Sequence, residues 1–158
     1  MDYRELPENI VQERKQLLTF FLKGDQNAIK FCEDILFICH LWDDMIDKDK
    51  TWTDQDINDA FNKSLSEIPL NPFYQAYFPV LVGMMTNAIN QWHVSNVLIK
   101  GNGDDRLTAF ILREAIFNIV YYAMSLTGGQ QWAIEQGTHF WRYFNKGLEK
   151  SYRQDMEV

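Results

Sequence analysis

Four carboxylates, Asp43, Asp44, Asp47 and Asp49, fall within the stretch HLWDDMIDKDK of residues 40–50. On a helix, Asp43 and Asp47 are four residues apart and Asp44 and Asp47 three apart. Both spacings place carboxylates on neighbouring turns. Such a set can hold a hard cation through oxygen, and magnesium favours a few carboxylates completed by waters and substrate phosphates. The stretch also closes a helical pattern, where the negative end of the helix dipole disfavours acidic side chains by a few tenths to about 1 kcal/mol each. Two readings stand side by side. One is a magnesium site on Asp43, Asp44 and Asp47; the other is a solvated helix end whose charges Lys48 and Lys50 offset in part.

A second group of polar residues interrupts an apolar run. In LTAFILREAIFNIVYYAMSL, residues 107–126, Arg113 and Glu114 are the only charged side chains. Burying either one unpaired is expensive. They read as an internal ion pair, as Arg113 reaching the helix 2 aspartates, or as a ligand site with Arg113 as a phosphate clamp. His40, on the same helix side as Glu33, Asp43, Asp44 and Asp47, joins Arg113 and Glu114 as a candidate ligand-binding residue.

The elements that must position these groups are helical. Apolar residues recur at helical spacing almost throughout, and no alternating pattern of a strand stands out. Helix 1 is expected from Pro7 to Lys23, stopped at Gly24. Helix 2 follows from Gln26 to Asp47 with Asp25 as N-cap. On a wheel, Ala28, Phe31, Ile35, Ile38, Trp42, Met45 and Ile46 share its apolar face. Helix 3 covers Asp54 to Glu67 behind a capping box of Thr53 and Asp56. Helix 4 opens at Asn71 and Pro72 and reaches Lys100, with Pro79 kinking it one turn in. Helix 5, capped by Asp104 or Asp105, runs unbroken to Thr127 and ends at Gly128 and Gly129. Helix 6 occupies Gln130 to Lys146. Short connections between long helices predict an all-α, single-domain antiparallel bundle of about six helices.

The chain has 158 residues, 46% hydrophobic and 15% aromatic. That supplies a core and excludes disorder. A net charge of −7 disfavours direct nucleic-acid binding, which needs a basic face. Cys32 and Cys39 read as reduced thiols, which fits a cytoplasmic setting. No uninterrupted apolar run reaches transmembrane length, so no membrane association is expected. A di-iron bundle is excluded, because none of His40, His93 and His139 follows a glutamate at three residues. Zinc spacing, a phosphate-binding glycine loop and a nucleophile elbow are missing as well.

The segment HLWDDMID resembles the first aspartate-rich motif, D-D-x-x-D, of the class I isoprenoid synthases. The resemblance implies an isoprenoid-synthase-like helical fold in which Asp43, Asp44 and Asp47 bind Mg2+ on a diphosphate and Arg113 contacts that diphosphate. The family's second metal motif has its nearest register at Asn87, Gln91 and Ser95, which holds no carboxylate. The longer stretch from HLWDDMIDKDK through LNPFYQAYF resembles small proteins of tailed bacteriophages. That resemblance implies a virion component or a host-directed factor and assigns no chemistry.

The aromatic content exceeds what one bundle easily buries, so an interface is expected on helix 6 and the tail. The candidates are Trp132, Phe140, Trp141, Tyr143, Phe144 and Tyr152, because aromatic patches concentrate binding energy. The reading set against it is that this helix closes the bundle. Taken together, the sequence points to a phage-encoded structural or interaction protein that forms a homo-oligomer or binds another protein. The alternatives are a magnesium-dependent diphosphate- or nucleotide-binding protein and a small-molecule sponge.

Overall fold

The computed structural model describes residues 8–146, 150 and 152–154. The fold is all-α, with no strand among the described residues. Pro7, expected in the first turn of helix 1, lies outside them.

Helices α1 (Glu8–Phe21) and α2 (Gln26–Asp47) are joined by Lys23 and Gly24, both at positive φ. Asp25 caps α2 as expected, its carboxylate accepting from the amides of Asn27 and Ala28 at 3.0 Å. Lys48 ends α2 in the left-handed conformation, φ 60°, at a position where glycine is usual. Helix α3 (Asp54–Asn62) starts in the expected Thr53–Asp56 capping box. It does not continue regularly to Glu67. Lys63–Glu67 winds into one π-helical turn, followed by the short α4 (Ile68–Leu70). Asn71 then starts α5 (Pro72–Leu98). Its side-chain oxygen accepts from the amides of Phe73 and Tyr74, and its amide nitrogen donates to the Asn27 carbonyl at 2.9 Å. One asparagine thus caps a helix and pins it to the start of α2. Phe31 packs against Phe73 and Tyr74, with ring centroids 5.7 Å apart in each pair.

The expected kink in α5 is present. Tyr77 leaves helical geometry (φ −119°, ψ 19°) two residues before Pro79. The chain divides into two compact units at this point. The first holds the described residues up to Phe78 together with Leu126–Gly128; the second holds Pro79–Ser125 and the described residues from Gly129 on.

Expected helix 5 is two helices, α6 (Gly103–Arg113) and α7 (Ala115–Gly128). The cap of α6 is Asn102, whose side chain accepts from the Asp105 amide, and not Asp104 or Asp105 themselves. The break falls at Glu114 (φ −83°, ψ 5°), where amides bond three residues back instead of four: Glu114 to Ile111 and Phe117 to Glu114. Apolar periodicity runs through both helices, so the pattern alone does not reveal this slip. Taken as one segment, Gly103–Gly128 is long and apolar enough to cross a membrane by length and composition, although Arg113 and Glu114 interrupt its apolar run. A third of that window is buried inside the fold.

Helix α8 (Gln130–Phe144) packs on α7 through rings. Phe117 meets Phe144 at 5.1 Å and Tyr121 meets Phe140 at 5.2 Å. Gly137 permits the contact, because a Cβ there would stand 2.7 Å from the Tyr121 hydroxyl. Close approach outweighs the ~1 kcal/mol that glycine costs inside a helix.

Candidate functional site

The aspartate stripe is divided by the fold. Asp47 is exposed, Asp43 is half-buried and Asp44 is buried. Asp44 accepts a hydrogen bond from the Trp52 indole at 3.0 Å. Trp52 forms a small core with Leu41 and Ala60, against which Phe37, Ile38 and Ile57 pack. The wheel therefore misplaced the end of α2. Met45 and Ile46, assigned to its apolar face, are exposed, and Asp44, assigned to the polar face, is inside. The loop that follows Lys48 returns Trp52 over the polar side and converts part of it to core.

His40 lies beside this carboxylate, with Nε2 3.6 Å from Oδ2 of Asp44 and its ring edge-on to Trp52 at 5.9 Å. Burial lowers the His40 pKa, and the nearby Asp44 charge opposes this only in part. The imidazole is therefore predominantly neutral at pH 7. Of the expected site residues, the fold brings His40 and Asp44 together. Among the described residues, no set of three His, Cys, Asp or Glu side chains is gathered so as to hold a metal ion.

Arg113 belongs to the second unit, and its expected pairing with Glu114 is not made among the described residues. Its Nε donates to Ser95 Oγ at 3.3 Å and its guanidinium to Asn96 Oδ1 at 2.9 Å. Ser95 is fully buried and donates onward to the Trp92 carbonyl. Arg113 thus clasps α5 through neutral groups instead of pairing with Glu114. Glu114 is half-buried at the helix break, and burial pushes its carboxyl up to about 7.

Among the expected interface residues, Phe140 and Phe144 are buried, so they serve the core rather than a surface. Trp132, Trp141, Tyr143 and Tyr152 are half-buried, and Tyr152 packs edge-on against Phe110.

The strongest charged constellation is one the sequence reading passed over. Asp34 is buried in α2 and accepts from Lys30 at 2.6 Å and Lys63 at 2.7 Å. Glu67 accepts from Lys30 at 2.6 Å and from Asn62 at 2.8 Å. The π-helical turn carries Lys63 and Glu67 at its two ends, which delivers both charges to the same place. Burial pulls the Lys30 pKa down, but the bonds to Asp34 and Glu67 leave it raised on balance. The bond from Lys30 holds Glu67 below its ordinary value. Two sequence signals pointed here: Asp34 stands three residues after Phe31 and four before Ile38, on the apolar side of the wheel, and two charge pairs fall at four-residue spacing, Lys30–Asp34 and Lys63–Glu67. With two cations balanced by two anions, the cluster is a structural latch and offers no uncompensated charge to a substrate.

The thiols are no nucleophiles either. Burial pushes Cys32 up strongly and Cys39 up to about 12, so neither forms thiolate near neutrality.

No family model matches the chain, and no match to it was found among the curated proteins or the solved structures.

Proposed function

We propose that this chain is a structural or interaction protein of the kind tailed bacteriophages encode, acting through a protein contact and not through catalysis. The observation that carries this reading is the segment Phe61–Leu70. Phe61 is 63% exposed, Leu65 75% and Leu70 69%, on a short stretch of α3, the π turn and α4. Single exposed apolar residues need no explanation, but large ones grouped on a stretch this short mark contact surfaces. The side chains with catalytic potential support the same reading. Asp44 serves Trp52, Arg113 serves Ser95 and Asn96, and Asp34 serves two lysines. Two free cysteines suit a reducing cytoplasm.

Light scattering on the purified chain tests the contact. A homo-oligomer has a mass above the 18.7 kDa of one chain, and Phe61→Ser with Leu65→Ser returns it to that value. A wild-type monomer whose mass the double substitution leaves unchanged rejects self-assembly through this segment.

The alternative reading, a magnesium-dependent diphosphate binder, rests on the likeness of residues 43–47 to the D-D-x-x-D motif. It keeps Asp43 and Asp47 as ligands and needs Asp44 to release Trp52.

A further inference from the structure

Residues 68–99 hold no aspartate, glutamate, lysine or arginine, in a chain where these make up 23%. Helix α5 is most of that stretch, and beyond the kink at Tyr77 one of its faces is left open. Val80, Gly83, Asn87, Asn90, Val94 and Val97 are all exposed. They follow one another by alternating three- and four-residue steps, the spacing at which one helix meets another along a seam. At 1.5 Å per residue the seam is about 26 Å long. It lies within the second unit.

The seam matches itself when reversed. In an antiparallel pair of such helices, Val80 stands opposite Val97 of the second copy, Gly83 opposite Val94, and Asn87 opposite Asn90. A two-fold axis repeats every one of these contacts. An asparagine amide carries both donors and an acceptor, so two that face each other satisfy each other. Polar residues in a helix seam also fix its register. Among the described residues, no side-chain hydrogen bond engages Asn87 or Asn90.

Gly83 is a second, separate signal. Glycine inside a helix weakens it. Its φ is not positive, and a Cβ there would meet nothing within 4 Å. The fold itself therefore does not call for glycine at this position, in contrast to Gly137, where Tyr121 fills the space. The antiparallel pairing supplies the missing neighbour, because Val94 of the second copy seats on Gly83.

Charge selects the same occupant. Two copies carrying −7 each repel one another over much of their surface. Helix α5 is a face that they can share without like charges meeting. A strongly basic or acidic partner would find no counterpart there, and lipid tails would leave the two asparagines unsatisfied.

We propose that the chain forms an antiparallel homodimer through α5, with the paired Asn87 and Asn90 at its centre. One helix from each copy makes a contact at the small end of specific interfaces, so the dimer forms at micromolar concentration. The seam shares no residue with Phe61–Leu70, and the dimer does not depend on the contact proposed for that segment.

Sedimentation velocity on the full chain from roughly 1 to 100 μM tests the proposal. The mass climbs from the 18.7 kDa of one chain towards twice that value. Val94→Lys, at an exposed position, weakens the dimer by about a hundredfold or more, because it presses a charge onto Gly83 of the second copy. Gly83→Ala separates the fold from the contact. It raises the melting temperature of the monomer, since the helix loses a glycine, yet it weakens the dimer by about tenfold or more. Under oxidation, Val80→Cys mixed with Val97→Cys crosslinks, while each alone behaves as wild type does. A chain that stays monomeric throughout overturns the proposal. So does a dimer that Val94→Lys or Gly83→Ala leaves intact, or one in which Val80→Cys crosslinks to itself. A dimer that Phe61→Ser with Leu65→Ser dissociates, and Val94→Lys does not, assigns self-assembly to the other segment and overturns this pairing alone.

Discussion

Trp52 and Asp44 are joined by a 3.0 Å indole-to-carboxylate bond, and both residues are buried. The pair closes the loop after α2 onto the helix it has just left. A buried indole N–H without an acceptor costs about 1–3 kcal/mol. Asp44→Ala is therefore expected to destabilise the chain by about 2 kcal/mol in urea denaturation. Asp44→Asn keeps an acceptor and loses less. Trp52→Phe combined with Asp44→Ala recovers part of the loss, since no orphan donor remains. An Asp44→Ala variant as stable as wild type would show that the bond contributes nothing.

The latch around Asp34 gives a sharper contrast. Its carboxylate is almost wholly shielded, while Lys30 is half-exposed and Lys63 is largely covered. Replacing both lysines with methionine strands a buried charge, at an expected cost of roughly 3–5 kcal/mol. Adding Asp34→Leu to that double variant should restore most of the stability, since well-packed apolar groups replace buried ion pairs at little or no net cost. Chemical denaturation of the double and triple variants decides the matter. Equal stabilities would place Asp34 in contact with water.

Glu114 makes stability depend on pH in an unusual direction. Burial raises its carboxyl from the ordinary 4.5 to about 7. Between those values the folded state holds a proton that the unfolded chain has released. Stability therefore falls as pH rises from 4.5 to 7 and levels off above, by linkage. Glu114→Gln removes this contribution and is expected to be more stable than wild type at pH 8, by on the order of 2 kcal/mol. At pH 4 the two proteins should match. The difference between their melting temperatures, followed across this range, is the measurement. A constant difference at every pH would place the carboxyl in water.

The helical class, the caps at Asp25, Thr53 and Asn71, and the kink before Pro79 were legible because each depends on neighbours within about four residues. What escaped was set by residues far apart in the chain. Asp44 looked solvent-facing on the wheel of α2, and only the return of Trp52 buries it. Asp34 was passed over, and Lys63, 29 residues further on, explains it. The pattern around Arg113 and Glu114 correctly marked two partly buried ionisable groups, but the two do not pair with each other. A helical pattern records which residues are apolar, whereas Ser95 and Asn96 become partners only through packing. The aromatic residues of α8 showed the same limit. Phe140 and Phe144, read as interface residues, are core.

Magnesium provides the last test, and its physics is confined to the end of α2. Asp43 and Asp47 are one turn apart near the negative end of the helix dipole, where their charges repel each other and the exposed carbonyls. A hard cation placed there relieves both repulsions and needs only these two carboxylates plus waters. Under the magnesium reading, millimolar magnesium raises the melting temperature by mass action, and calcium, with longer bonds and more ligands, does so to a different extent. Asp43→Asn with Asp47→Asn abolishes the response. Asp44→Asn separates the two roles of the stripe. It weakens the Trp52 bond but leaves the magnesium response intact, unless Asp44 is itself a ligand. A wild-type protein indifferent to magnesium rejects the magnesium reading of Asp43 and Asp47.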